Sequence, residues 1–430
     1  MTRQSVCLRR LADERAQEVR FGRWIANDKV TAEALLANGY ARTAAGAAGR
    51  HVLAIQDTSE LNYQAHAQRV SGLGTVGNGR DAGMFIHPLL AVDADNGACL
   101  GLAHLHHWNR TQKADANYRR LPIEDKESYR WLEVAQAGKQ CLSEAAMLTV
   151  VADRESDIYE EWARLPDART HLLTRVCRDR NLASSGSLYA WLNAQPVQGE
   201  FAIDVPARPG KRSAHRARLA VRFGQVAIKR PQSCPDRSAP RQITLRVIEV
   251  RELPETVVGT EAPIHWRLMT THAITSLEDA MRCVAWYRQR GHIEPLFRTL
   301  KKQGLRIESS PLESGAGLTK LVCLALQATV RILQLTQARD GNSEARACDV
   351  FEAREIAVLR RVLPTLEGKT AKQKIPHPHG SLAHAAWVLA RMGGWKGYAS
   401  EAKPGPITMS HGSIFQSRYE PEGRGVMLRS

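Results

Sequence analysis

The stretch Trp286–Lys302, WYRQRGHIEPLFRTLKK, decides how the chain is read. At 100° per residue its polar set, Tyr287, Arg290, Glu294, Arg298 and Lys301, falls within roughly 80° of one helix face. The apolar set, Trp286, Ile293, Leu296, Phe297 and Leu300, forms an adjoining stripe. Gly291 and Pro295 strain a single unbroken helix, so a kink or a fresh start is expected there. A helix that packs one stripe and lines the next with a lone carboxylate among cations suits the wall of an anion-handling site. A surface helix with Glu294 paired to Arg290 or Arg298, four residues away, gives the same pattern and stays open.

Two upstream carboxylates join this stretch. HVLAIQD ends an apolar, strand-like run on Asp57, and AMLTVVAD ends another on Asp153. Were the two strands neighbours, both carboxylates would emerge on one sheet edge, with Glu294 completing the set from a later helix. Three carboxylates are hard oxygen ligands suited to two Mg²⁺ ions. Two such metals about 3.5–4 Å apart serve in-line attack on a phosphodiester, one at each oxygen. The cations beside Glu294 suit the flanking phosphates. Taken singly, Asp57 is equally a turn former, and Asp153, in Asp153-Arg154-Glu155-Ser156-Asp157, equally a helix cap.

Residues 1–48 read as helical and basic. MFIHPLLAVDADNGACLGLAHLHHW places an Asn96-Gly97 turn between apolar runs, a hairpin signal. KESYRWLEVAQAG reads as a helix, and a further helix is expected after Asp153. The order strand, hairpin, helix, strand, helix implies a mixed sheet flanked by helices, an α/β class. From about Asn181 to Thr271 alternating segments such as ARLAVRFGQVAIKR and ITLRVIEVRE read as a β-rich insertion. Helical patterning returns in SLEDAMRCVAWYRQRG, TKLVCLALQATVRILQLTQARD, REIAVLRRVLP and SLAHAAWVLARMGG. After Pro404-Gly405-Pro406 no period is visible. The expected divisions are a helical N-terminal segment (1–48), an α/β core in two parts (49–180 and 272–345), the insertion (181–271) and a helical C-terminal region with an atypical tail (346–430).

Composition points the same way. The 430 residues exceed one simple core. Sixty Lys and Arg against 44 Asp and Glu give a net charge of +16, spread along the chain. That excess favours nucleic acid first and an anionic membrane second, although a merely soluble basic protein fits too. Eight cysteines without a C-x-x-C pair read as reduced thiols. With no 18-residue apolar run and no leader-like N-terminus, the reading is cytoplasmic, with no membrane partner. His104, His106 and His107 lack partners at zinc-ligand spacing. Gly315-Ala316-Gly317 lacks the Lys-Ser/Thr of a nucleotide-binding loop. Lys211, Arg212, Arg216 and Arg218 suit a solvated face as well as DNA.

The spacing Y-(2)-R-(3)-E-(6)-K at Tyr287, Arg290, Glu294 and Lys301 resembles the signature of the insertion-sequence-four family of DDE transposases, which includes the transposon-five transposase. Asp57-Thr58 in IQDTSELNY resembles the family's first aspartate motif, and Asp153-Arg154-Glu155 in VVADRESDI its second. The resemblance runs from about Arg20 to Pro406. It implies a ribonuclease-H-like core interrupted by a β-rich insertion, and a metal-binding triad of Asp57, Asp153 and Glu294 holding two Mg²⁺ ions, with Mn²⁺ as a substitute. It implies that Tyr287, Arg290 and Lys301 contact DNA phosphates near the transposon end, with Arg298 standing where some members have Lys. Arg175, in HLLTRVCR, lies where the family often has a DNA-contacting Arg; a solvated strand-end Arg is the open alternative. Trp266, in IHWRLMTT, resembles a family Trp that stacks on a flipped base during hairpin formation; by its strand alone it reads as a core Trp. Stacking recovers ~1–3 kcal/mol of the cost of extruding a base.

The implied activity is cut-and-paste transposition: an endonuclease that nicks a strand, forms a DNA hairpin and transfers the freed end. The implied partners are double-stranded DNA at terminal inverted repeats, target DNA, and a second copy of the chain in a homodimer. The implied setting is the nucleoid. Two departures stand out. Only about twenty residues precede the part resembling the family, and SHGSIFQSRYEPEGRGVMLRS lacks the period of a dimerising helix. They favour, as the second reading, an impaired DNA-binding relative that inhibits intact transposase.

Overall fold

β1 (His51–Gln56) is buried from Val52 onward, as a strand covered on both faces must be. The computed structural model describes residues 6–110, 118, 121–260, 262–370, 373–398 and 400–418, side chains of 414–418 excepted. The further strands are β2 (Ser59–Asn62), β3 (Gly74–Val76), β4 (Asp81–Asp93), β5 (Cys99–Trp108), β6 (Met147–Ala152), β7 (Thr170–Arg175), β8 (Gly199–Val205), β9 (His215–Lys229), β10 (Gln242–Glu252) and β11 (His265–Thr270). The helices are α1 (Leu8–Leu11), α2 (Arg15–Ala26), α3 (Ala32–Ala47), α4 (Tyr129–Cys141), α5 (Tyr159–Arg164), α6 (Leu188–Ala194), α7 (Leu277–Gln289), α8 (Ile293–Lys301), α9 (Gly315–Ala338), α10 (Ala347–Val350), α11 (Ala353–Leu366), α12 (Leu382–Met392) and α13 (Pro406–Arg418). They group into two units, one of residues 1–48, 58–112 and 291–430, the other of residues 49–57 and 113–290.

The second unit is a mixed sheet with helices, in strand order β1-β6-β7-β11-β10-β9-β8. β1, β6 and β7 are parallel. Parallel neighbours need a long crossover, and α4 and α5 supply it. The remaining pairs are antiparallel. The burial patterns follow this division. β6 is a continuous buried run, whereas β8 alternates between half-buried and exposed. α4 fixes its place through the fully buried Trp131 and Leu132. Truncating Trp131 to alanine removes about 3–5 kcal/mol of stability. α7 starts at a capping box in which Ser276 and Asp279 satisfy each other's backbone N–H groups.

The first unit is built on the β4–β5 hairpin, whose turn holds Gly97 at φ +74°. That is the left-handed region which glycine enters without a Cβ clash. β2 and β3 pair with β4. α3 lies directly on β5: a Cβ at Gly101 would sit 2.1 Å from Thr43 Oγ1, and Thr43 Oγ1 donates to the Leu102 carbonyl at 2.9 Å. α9 is the central helix. Its Lys320 Nζ donates to the carbonyls of Ile25 and Asn27 at 3.0 and 2.9 Å, closing the C-terminal end of α2. α9 also corrects the reading of hydropathy, because its apolar window is long enough to cross a membrane by length and composition. Two thirds of that window is buried inside the protein (67%), as a helix packed on most sides requires.

In the C-terminal segment the sequence shows no period after Pro406, and Pro406–Arg418 is nonetheless helical. α13 meets α12 through small residues. A Cβ at Gly412 would lie 1.9 Å from the Leu389 carbonyl oxygen, and one at Gly393 2.1 Å from that of Thr408. Backbone-to-backbone packing leaves no apolar stripe to read. Residues 419–430 of the atypical tail lie outside the described residues.

Candidate active site

The parallel register of β1 and β6 pairs Ile55 with Val151. Carried on by two residues, it sets Asp57 opposite Asp153, at the C-terminal edge of the sheet. Both are half-buried. This is where ligand sites of parallel sheets form, because the loops leaving the strands open there. Asp153 Oδ1 accepts a hydrogen bond from Glu155 N at 2.8 Å and caps the short 3-10 turn Arg154–Ser156. The capping role and a role at the edge therefore coexist.

Arg290 faces Asp57. Its NH1 donates to Asp57 Oδ2 at 3.0 Å, with about a fifth of each side chain exposed (20% and 22%). Burial works against the Arg290 charge, but Asp57, Tyr287 and Asp153 outweigh it and raise its pKa above the ordinary value. Tyr287 is buried, and burial pushes its hydroxyl pKa up against the opposing pull of Arg290 and Arg175. Trp266, in β11 and paired with Val250, lies with its ring centroid 6.2 Å from that of Tyr287. Arg175 ends β7 opposite Leu268, and its NH2 donates to the His265 carbonyl at 3.0 Å. The second unit thus brings together Asp57, Asp153, Arg290, Tyr287, Trp266 and Arg175. On the face of β10 and β11 opposite Trp266, Glu249 accepts from His265 Nε2 at 2.8 Å and Arg267 Nε at 3.1 Å. Burial opposes ionisation of Glu249, but these two partners keep its pKa below the usual carboxylate range.

The signature stretch does break where Gly291 predicts. α7 stops at Gln289, a 3-10 turn spans Arg290–His292, and α8 begins at Ile293. Glu294, Arg298 and Lys301 belong to α8, in the first unit. Ile293, Leu296 and Leu300 are its buried stripe, while Glu294 and Arg298 are exposed. Lys301 Nζ lies 3.7 Å from Glu308 Oε1, and Glu308 also accepts from Asn62 N at 3.0 Å.

By donor chemistry, the carboxylates of Asp57 and Asp153 fit a hard divalent cation such as Mg²⁺. Among the described residues no group of three or more His, Cys, Asp or Glu is gathered to hold a metal ion. Asp57 has the Arg290 guanidinium as counter-charge. Sequence reasoning missed one residue beneath this edge. Glu161 on α5 is 1% exposed. Its Oε2 accepts from Ser156 Oγ at 2.5 Å and its Oε1 from Gln56 Nε2 at 3.5 Å. The signal was the spacing Ile158, Glu161, Leu165, which sets an acid on the apolar helix face.

Residues 134–331 match the family model of the transposase DDE domain. The matched span holds Asp153, Arg175, Trp266, Tyr287, Arg290, Glu294, Arg298 and Lys301, and begins after Asp57. Among solved structures, the chain is similar to the cryo-EM structure of the piggyBac transposase synaptic complex with hairpin DNA, at 10% sequence identity and a TM-score of 0.35. The similarity covers 68% of this chain and 48% of that one, so the chain spans about half the length of the structure it matches. Over residues 134–331 the chain is similar to a transposase DDE domain.

Proposed function

We propose that the chain is a metal-dependent DNA transposase of the insertion-sequence-four kind, with a ribonuclease-H-like core interrupted by the β8–β11 region. One observation carries the reading. Asp57 and Asp153 directly follow the adjacent parallel strands β1 and β6, and Arg290 of the Tyr-Arg-Glu-Lys stretch donates a hydrogen bond to Asp57. Asp57, Asp153 and Glu294 are the residues that would hold divalent cations, Mg²⁺ or Mn²⁺. When bound, such ions supply Lewis-acid help to the attacking and leaving oxygens of a phosphodiester.

The chain's own residues do the rest. Arg290, Tyr287, Arg298, Lys301 and Arg175 bind and orient the phosphates of a transposon end. Water attacks one strand and leaves a 3′-OH. That hydroxyl attacks the opposite strand, forming a hairpin, and Trp266 stacks on the base that the tight turn expels. Hydrolysis opens the hairpin, and the 3′-OH then attacks target DNA. The partners under this reading are terminal inverted repeats, target DNA and a second copy of the chain, acting at the nucleoid.

The test uses a duplex bearing the sequences that flank the coding region, incubated with Mg²⁺. The expected result is a nick followed by a hairpin, both lost in Glu294→Gln. Trp266→Ala should stall the hairpin while sparing the nick. Unchanged cleavage by Glu294→Gln overturns the reading.

A further inference from the structure

We propose that Glu161 is a positioning residue for the carboxylate edge, tying the end of β1 to the turn after β6 so that Asp57 and Asp153 stay side by side. The proposal rests on the metal-site reading above. Glu161 reaches both strand ends from below. Its Oε1 takes Gln56 Nε2 at 3.5 Å, and Gln56 directly precedes Asp57. Its Oε2 takes Ser156 Oγ at 2.5 Å, and Ser156 closes the 3-10 turn that Asp153 caps. All three side chains are buried. One carboxyl group therefore bridges the two segments that deliver the two aspartates.

Packing alone does not call for an acid here. Ile158 and Leu165 flank Glu161 on the same face of the turn and helix, and a leucine in its place continues an apolar stripe. Burying a carboxyl costs free energy that a hydrocarbon side chain does not incur. Burial pushes Glu161 up to about 8, with Ser156 pulling the other way, so the neutral form prevails at pH 7 and glutamine mimics it in shape and polarity. The residue thus fixes the geometry of the edge above it through two buried hydrogen bonds.

In the fully folded protein, metal affinity should therefore depend on Glu161, which a purely structural role does not produce. The experiment measures Mn²⁺ binding to the full chain by the electron paramagnetic resonance signal of free Mn²⁺, beside the melting temperature. Wild type should bind Mn²⁺ in a way that Asp153→Asn weakens. Glu161→Leu leaves the buried Gln56 and Ser156 side chains without this acceptor and should melt below wild type. Fully folded, well below its melting temperature, it should bind Mn²⁺ about tenfold more weakly, the size of effect that supporting residues of metal ligands show. Glu161→Gln should bind nearly as wild type. Should Glu161→Leu fail to fold, Ser156→Ala removes the shorter bond with little change of volume and should weaken binding in the same direction. Wild-type affinity in both Glu161→Leu and Ser156→Ala, with Asp153→Asn impaired, overturns the positioning role alone. Mn²⁺ binding that Asp153→Asn leaves untouched overturns the metal-site reading, and the positioning role with it.

Discussion

The two ends of the parallel strands of the second unit are built on opposite principles. At the C-terminal end, Asp57 and Asp153 stand half-buried, with Arg290 against Asp57. At the N-terminal end of β1 and β7, His51 and His171 pack with His272 and Trp286 around Thr149 of β6. Thr149 Oγ1 lies 2.8 Å from His51 Nε2 and 2.7 Å from His272 Nε2. The rings of His171 and His272 stack at 4.0 Å, and Trp286 meets His51 edge-on at 4.7 Å. Burial, then the neighbouring His171, His51 and Arg282, pull His272 down to about 3. One end keeps ionised groups near water and beside a cation. The other satisfies polar groups without charge, so that α7 can settle on it. The difference separates function from stability along the same strands: the carboxylate end should govern chemistry and the histidine end folding.

The sharpest way to break that comparison is Asp153→Asn. Loss of a metal ligand forfeits several kcal/mol of transition-state stabilisation, so cleavage of an end-bearing duplex should fall by at least about a thousandfold. Cleavage within tenfold of wild type would put the chemistry elsewhere. Acid should act on the other end. His272 has a pKa near 3 when folded and an ordinary value near 6.5 when unfolded. Above that ordinary value both states are neutral and stability is full. As pH falls below it, only the unfolded state takes the proton, and stability drops by about 1.4 kcal/mol per pH unit until the folded pKa is reached. His171 is pulled down as well, chiefly by burial with Asp167 opposing, and adds to the slope. Urea unfolding at pH 7 and pH 5 should show the loss, and His272→Phe should flatten it; an equal slope in that variant counts against the histidine end.

Thr149→Val tests the same end without pH. It leaves the ring nitrogens of buried His272 and half-buried His51 without their shared hydroxyl and should cost about 1–3 kcal/mol. Cleavage at a permissive temperature should be unchanged. The smallest stability effect belongs to Asp57→Asn. A partly exposed ion pair contributes up to about 1 kcal/mol, so the melting temperature should barely move while cleavage is lost. A large drop in melting temperature would make Asp57 a structural residue.

Much of the carboxylate end was legible in the sequence. Apolar runs leading into Asp57 and Asp153 are local patterns that one period reveals. The single helix face of Tyr287, Arg290 and Glu294 is not kept, since α7 carries Tyr287, a 3-10 turn Arg290 and α8 Glu294. The break after Gln289 was legible too, through Gly291. The histidine end was not. His51, His171 and His272 lie far apart in the chain, and only the pairing of β1, β6, β7 and β11 gathers them. α13 escaped because Gly393 and Gly412 pack by backbone rather than by apolar side chains. Glu161 escaped because α5 is short, and an acid beside Glu160 reads as surface until its burial is seen.

Which end of these strands takes the metal can be read directly by loading the chain with Fe²⁺ in place of Mg²⁺ and letting ascorbate and peroxide cut the backbone around the bound ion. Cuts beside Asp57 and Asp153, abolished in Asp153→Asn, are the predicted result. Cuts clustered at His51, His171 and His272 instead, or a pattern that Asp153→Asn leaves unchanged, would contradict it.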